Sequence, residues 1–138
     1  MQTNKDIVDK LKLCGLRATK QRLKIANILF ENNKTFHFSI NELVQLINNR
    51  YGDTIALATV YNTVHAFKNH GFLKEIAINS EHSYFDTNTT NHHHFYDIDK
   101  DELSDINHSE VSPIKIKKKI PGKKIHSIEV LVKISSSI

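Results

Sequence analysis

Three consecutive histidines, His92-His93-His94, stand between a Phe85-Asp86 pair upstream and Asp105 downstream. Side chains alternate along an extended segment, so His92 and His94 share one face there and His93 takes the other. One strand can therefore serve two sites. Imidazole and carboxylate donors suit iron, manganese or zinc, or the iron of a haem. No thiolate is near: position 97 is Asp, position 100 is Lys, and the single cysteine is Cys14. A metal bound here rests on nitrogen and oxygen ligands alone.

Such ligands need a scaffold, and the chain offers 138 residues, enough for roughly one to two small domains. Apolar residues make up 39% of it, a modest core that association with a second copy would enlarge. No apolar run approaches the roughly 20 residues of a membrane helix. The opening Met1–Asp6 lacks the apolar stretch of a secretory signal. A lone cysteine excludes an internal disulfide and any CxxC zinc knuckle, and suits a reducing cytoplasm. A cytoplasmic protein without membrane association is expected.

The formal charge of +4 is unevenly spread. Residues 1–74 carry 11 Lys and Arg against 5 Asp and Glu, whereas residues 75–138 carry 8 against 10. Ordinary solubilising charge would account for this. A polyanion-binding half joined to a cation-binding half would account for it equally.

The basic half reads as helices. Ile7, Val8 and Leu11 share a face of the first, and Gly15 ends it. Thr19 can cap a second, whose stripe of Leu23, Ile25, Ala26, Leu29 and Phe30 fades at Glu31–Lys34. Ser39-Ile40-Asn41-Glu42 fits a capping box, and the helix behind it is expected to bury Leu43, Leu46 and Ile47 before Tyr51-Gly52-Asp53 closes it. The fourth helix, from Ala56 to His70, sets Leu57, Val60, Val64 and Phe67 on one side. Its other side carries Ala58, Thr59, Asn62, Ala66 and Asn69, flanked by Tyr61 and His65. A solvated face would usually bring Lys and Glu. This small, uncharged polar face suits contact with another macromolecule.

Two strand-like runs follow, Phe72–Ile78 and Ser83–Asp86, joined by Asn79-Ser80-Glu81-His82. Helices followed by a hairpin are the order of a winged helix, whose later helix enters the DNA major groove. Thr87–Asn91 is a polar run without helical character and reads as a hinge. The expected fold is α+β: a winged-helix DNA-binding domain over 1–86, a hinge over 87–91, and a small α/β domain for dimerisation and metal or haem sensing over 92–138. In that last part His92–Ile98 and Ile125–Ile134 read as strands and Glu102–Ile106 as a third. In Ser112–Lys124 an Ile-Lys alternation suggests extended chain, while Pro113 and Pro121-Gly122 oppose a long helix.

These residues resemble the ferric uptake regulator (Fur) family. Gly15-Leu16-Arg17-Ala18-Thr19-Lys20-Gln21-Arg22 resembles its N-terminal signature, and Ala58-Thr59-Val60-Tyr61-Asn62-Thr63 its recognition-helix signature. Phe85-Asp86 and the histidine cluster follow in the family's order, and the resemblance runs from about Lys10 to Ile134. Leu57–Thr63, Tyr84–Thr89 and His92–Tyr96 look most like the iron response regulator branch, associated with haem-dependent control of iron genes. Both CxxC pairs of ordinary members are missing, so no structural zinc held by four cysteines is expected. Cys14 is followed by Gly15, so the branch's cysteine-proline haem motif is missing as well.

The resemblance implies a regulatory metal site at His37, Asp86, His92, His94 and Asp105, holding a divalent Fe, Mn or Zn ion. His37 belongs to the DNA-binding half, so an ion held by the full set would fix the relative orientation of the two halves. In a homodimer that orientation sets the spacing of the recognition helices. The ordinary reading of a lone His37 is a helix-boundary residue, and of Asp86 a turn cap. A second metal or haem site would use His93 with His126, His108 and Glu110 being weaker partners. For DNA, Thr59, Tyr61 and Asn62 would face the major groove, where Asn pairs with adenine and Tyr or Thr packs on thymine methyls. Arg17 sits where the family places a minor-groove contact, and Arg favours narrow A·T-rich grooves. Lys20, Arg22 and Lys68 are phosphate candidates. The lysines at 115, 117, 118, 119, 123 and 124 are read as solvated surface.

The expected function is an iron- or haem-responsive transcriptional regulator, mainly a repressor, of metal homeostasis genes. Its partners would be an A·T-rich palindromic double-stranded operator and a second copy of the chain. The rivals are a small His/Asp metalloenzyme such as a zinc hydrolase, and a metal-binding adaptor without DNA binding. The hydrolase lacks an HExxH spacing and a clear general base, and it would leave the N-terminal half without a role.

Overall fold

A computed structural model describes residues 4–31, 34–52 and 54–137. The chain forms two compact units, 1–89 and 90–138, and the division falls inside the polar Thr87–Asn91 segment.

The first unit holds α1 (Asn4–Leu13), α2 (Lys20–Phe30), β1 (His37–Phe38), α3 (Ile40–Tyr51), α4 (Leu57–Asn69), β2 (Lys74–Ala77) and β3 (Ser83–Asp86). Local chemistry sets the helix ends. The Thr19 hydroxyl accepts the Arg22 N–H at 3.3 Å, and the Ser39 hydroxyl accepts the Glu42 N–H at 3.2 Å. Each bond satisfies one of the amide donors that a first turn leaves unpaired. Gly52 closes α3 in the left-handed conformation at φ 69°, which costs a Cβ-free residue nothing. Asn32, Asn33 and Asp53, expected at helix ends, lie outside the described residues.

The core gathers Ile7 and Leu11 from α1, Ile25 and Leu29 from α2, Leu43 and Ile47 from α3, and Val60, Val64 and Phe67 from α4. Phe30 meets Phe67 edge to face at 5.1 Å, a favoured geometry for an aromatic pair. Two leucines expected in this core are outside it: Leu46 is 45% and Leu57 56% exposed. Leu43 and Ile47, one turn apart, already fill the inward side of α3, leaving Leu46 at its flank. Leu57 begins α4 and shares a side with exposed Tyr61, four residues on.

The hairpin of β2 and β3 is antiparallel, with Ile76 opposite Tyr84. Its turn is closed by the Asn79 carboxamide, which accepts the N–H groups of Glu81 and His82, each at 2.9 Å. Strand β1, not expected from the sequence, joins the other edge of β3 and sets His37 opposite Asp86 and Phe38 opposite Phe85.

The second unit is a sheet of order β5-β4-β6 with one 3-10 turn, His108–Glu110. Strand β4 (His93–Asp97) lies antiparallel to β5 (Glu102–Ile106) and parallel to β6 (Leu131–Ile134). The β4–β5 turn is tied down by Asp97, whose carboxylate accepts the Asp99 and Lys100 N–H groups. Asp99 in turn accepts the Ser136 N–H, which keeps its carboxyl below the usual range. The strand expected over Ile125–Ile134 is confined to its last four residues. Residues 112–130 lack regular structure, apart from a turn at Pro121-Gly122. Ile114, Ile116, Ile120 and Ile125 are 41–64% exposed.

Candidate metal centre and nucleic-acid face

Register places the ligands in the second unit. His94 is the cross-strand partner of Asp105. Its Nε2 stands 3.2 Å from Asp105 Oδ1, and His92 Nε2 stands 3.3 Å from the same oxygen. One donor atom from each of the three lies within 4.8 Å of the others. The imidazole side chains are only 10% and 5% exposed for His92 and His94, whereas the Asp105 side chain is 51% exposed. His92 lies just before β4 yet keeps the facing that strand alternation predicts.

A second contact fixes the chemistry. His92 Nδ1 is 2.8 Å from the Thr90 carbonyl oxygen. A carbonyl only accepts, so Nδ1 donates there, which leaves Nε2, beside Asp105, as the nitrogen a metal ion would take. Metal-binding histidines are commonly oriented this way by a backbone acceptor. Two imidazole nitrogens and a carboxylate oxygen converging within this distance fit a divalent transition ion.

In the first unit, Asp86 is 1% exposed, and its Oδ1 accepts the Asn88 N–H at 2.8 Å. That bond matches the turn-capping reading of Asp86. His37 is half-buried beside it across the β1–β3 pair. The unit thus sets an imidazole and a carboxylate opposite one another on neighbouring strands.

The other face of β4 is organised differently from expectation. His93 is 6% exposed, and its Nδ1 accepts the Val130 N–H at 3.0 Å. Burial, with the neighbouring His108, holds its imidazole below the ordinary histidine range. Its ring partner is His108, 5.3 Å away and edge to face, while His126 is exposed in the irregular segment. The segment's lack of strand structure at 126 accounts for the change of partner. A bis-histidine haem would need its two rings on opposite sides of the macrocycle. The His93–His108 contact leaves no slot between them and does not fit that group.

On α4, Ala58, Tyr61 and Asn62 are exposed and Thr59 is half-buried. Thr63, next along, is buried and returns its hydroxyl to the Thr59 carbonyl at 2.7 Å. Leu57 and Tyr61 line a groove of about 330 Å³ between α4, the start of α3 and the hairpin. Arg17 and Lys20 are exposed before and at the start of α2. Arg22 is partly committed, since its guanidinium donates to the Arg17 carbonyl at 3.1 Å and braces that turn. Lys68 pairs with Glu75 at 3.2 Å, which gives it a partner within its own unit. The six lysines between 115 and 124 are all exposed. Cys14 is buried, and burial pushes its thiol up, which disfavours the reactive thiolate.

The sequence marks His65 only as a flank of the α4 face, and the structure gives it more. Its ring lies 4.1 Å from that of Tyr61 and 5.4 Å from that of Phe85. The i,i+4 spacing of Tyr61 and His65 was the available signal.

Comparison with known proteins agrees with this fold. The protein-family model "Ferric uptake regulator family" matches residues 14–134. The peroxide-responsive repressor PerR of Staphylococcus epidermidis is 33% identical over 87 residues, covering 63% of this chain and 56% of that protein. The chain thus spans little more than half the length of the curated relative. The Vibrio cholerae ferric uptake regulator superposes with a TM-score of 0.69 at 21% identity, over 93% of this chain and 98% of that one. The Pseudomonas aeruginosa ferric uptake regulator solved with manganese gives 0.64 at 19% identity, over 94% and 97%. With a family model covering most of its length and the fold shared across nearly all of it, the chain belongs to the ferric uptake regulator family.

Proposed function

We propose that this protein is a metal-responsive, DNA-binding transcriptional regulator, mainly a repressor, that acts as a homodimer. The convergence of His92 Nε2 and His94 Nε2 on one oxygen of Asp105 carries the reading. In this proposal Asp86 and His37 complete the ligand set from the DNA-binding unit. A bound divalent ion would supply fixed positive charge that draws these donors together. The residues do the rest: three ligands belong to one unit and two to the other, so binding selects one relative orientation from an ensemble. The iron response regulator branch remains the proposed placement, on the motifs at 57–63, 84–89 and 92–96. The proposed effector is divalent Fe, Mn or Zn. Haem is the weaker candidate because the His93 side does not fit it.

The relatives named peroxide-responsive repressors suggest a second input. We propose testing the iron-loaded protein for loss of its metal-dependent DNA affinity after peroxide. Against the metalloenzyme rival stand the names of the relatives given above, which are those of regulators. The adaptor rival leaves the exposed Ala58, Tyr61 and Asn62 face without a purpose.

A gel shift on an A·T-rich palindromic duplex, with and without Mn²⁺ at fixed salt, tests the proposal. Affinity above that for random DNA, changing with Mn²⁺, is the expected result. Equal affinity for both duplexes under both conditions sinks it. In the same assay Asn62→Ala should cost about 1–3 kcal/mol on the palindrome and leave random-sequence binding nearly unchanged, as for a residue pairing bidentately with adenine. Equal losses on both DNAs would remove Asn62 from the base-reading set.

A further inference from the structure

We infer that His65 is a positioning residue for DNA reading, which holds the Tyr61 ring in its base-facing pose by bracing it against Phe85. The inference rests on the DNA-binding reading above and adds a residue to it.

Three observations carry it. Tyr61 is 52% exposed, large and flat, and flanks the uncharged polar face of α4. An exposed aromatic ring ordinarily hops between rotamers, and fixing it only on binding costs entropy. Here the His65 ring, one turn further along the helix, lies 4.1 Å from it with the planes inclined at 39°. The opposite end of the brace is buried. His65 meets Phe85 at 5.4 Å and 81°, edge to face, and Phe85 is 2% exposed in β3. Phe85 also stacks on Phe38 at 5.9 Å, and Phe38 is 1% exposed. The line Phe38–Phe85–His65–Tyr61 therefore runs from the core to solvent, and only its last ring is open. His65 itself is half-buried, so its own rotamer is restricted by packing.

A ring held this way is pre-organised to lie flat on a thymine methyl group, the contact that distinguishes thymine from uracil in the major groove. The brace belongs to the helix and the sheet of one unit, so it exists before any DNA arrives. Leu57 flanks the same groove and can extend the apolar surface without fixing the ring.

The probe is a duplex recovered by in-vitro selection from a random-sequence pool with the Mn²⁺-loaded wild-type protein. A second copy of it carries uracil in place of thymine. His65→Ala should bind the thymine duplex about 2- to 13-fold more weakly, the worth of an aromatic pair beyond its burial. It should also lose much of the thymine-over-uracil preference. His65→Phe, which keeps a ring in place, should restore both. Tyr61→Ala combined with His65→Ala should bind no worse than Tyr61→Ala alone. Should His65→Ala not fold, His65→Gln carries the same comparisons. Additive losses in the double variant, an unchanged thymine preference, or a His65→Phe protein as weak as the Ala variant would overturn the inference. Failure to recover any duplex with wild-type protein removes the DNA-binding reading, and this inference with it.

Discussion

His94→Ala should lower Mn²⁺ affinity by more than about 100-fold. Loss of a group that merely orients a ligand typically costs about 10- to 100-fold, and His94 is proposed as a ligand itself. Its Nε2 stands 3.2 Å from Asp105 Oδ1, with the side chain 5% exposed. Removing it leaves His92 and Asp105 as the only ligands in the second unit, too few to hold a hydrated ion against solvent. Folding should survive. Asp105 is half-exposed, so water can replace the lost neighbour, and the strand pairing of β4 with β5 and β6 uses backbone atoms that alanine retains. Isothermal titration of metal-free wild type and variant with Mn²⁺ at one pH, with circular dichroism as the folding control, measures the difference. A loss under about threefold in a folded variant would mean that the ion, if bound, sits elsewhere, and the His92–His94–Asp105 convergence would be a surface polar cluster. The threefold line lies well below the loss expected for even an orienting group.

How far the sequence reveals this arrangement depends on the range of the interactions involved. The helix ends are local events: Thr19 and Ser39 cap amides three residues away, and their types announce it. The facing of His92 and His94 is also local, following from strand alternation, and the two side chains do converge on Asp105. What escaped depends on partners distant in sequence. Strand β1 is only two residues long, and it exists because β3 offers an edge some fifty residues later. Periodicity showed that Leu46 and Leu57 belong to apolar stripes but not that the covering elements stop short of them. The ring partner of His93 depended on where an irregular segment runs, and neither prolines nor alternation specify that. His65 was visible as a neighbour of Tyr61, yet its significance comes from Phe85 on a strand. The family signatures narrowed the ligand set further than the local reading alone, which left His37 as a boundary histidine.

His37→Ala should separate metal binding from metal response. His37 stands opposite Asp86 in the β1–β3 pair, half-buried beside a fully buried carboxylate. In the proposed site it reaches the ion from the DNA-binding unit, while His92, His94 and Asp105 belong to the other. Its removal leaves most of the donor set, so Mn²⁺ should still bind, though more weakly. The dependence of DNA affinity on the ion should disappear, because the variant's ion holds one fewer group of the DNA-binding unit. Coupling of this kind is typically worth about 1–3 kcal/mol, or roughly 5- to 150-fold in affinity. The variant should fold, since the core residue of the strand is Phe38, stacked on Phe85 and untouched by the change. The measurement is DNA affinity of wild type and variant, each without Mn²⁺ and at Mn²⁺ levels that titration shows to be saturating, at one salt concentration. Saturation matters: otherwise weaker metal binding would imitate lost coupling. If saturated wild type and variant respond to Mn²⁺ by the same factor, His37 does not link the ion to the DNA-binding unit. Asp86 would then be the one remaining ligand of that unit, and the same comparison on Asp86→Asn would decide whether the coupling passes through it.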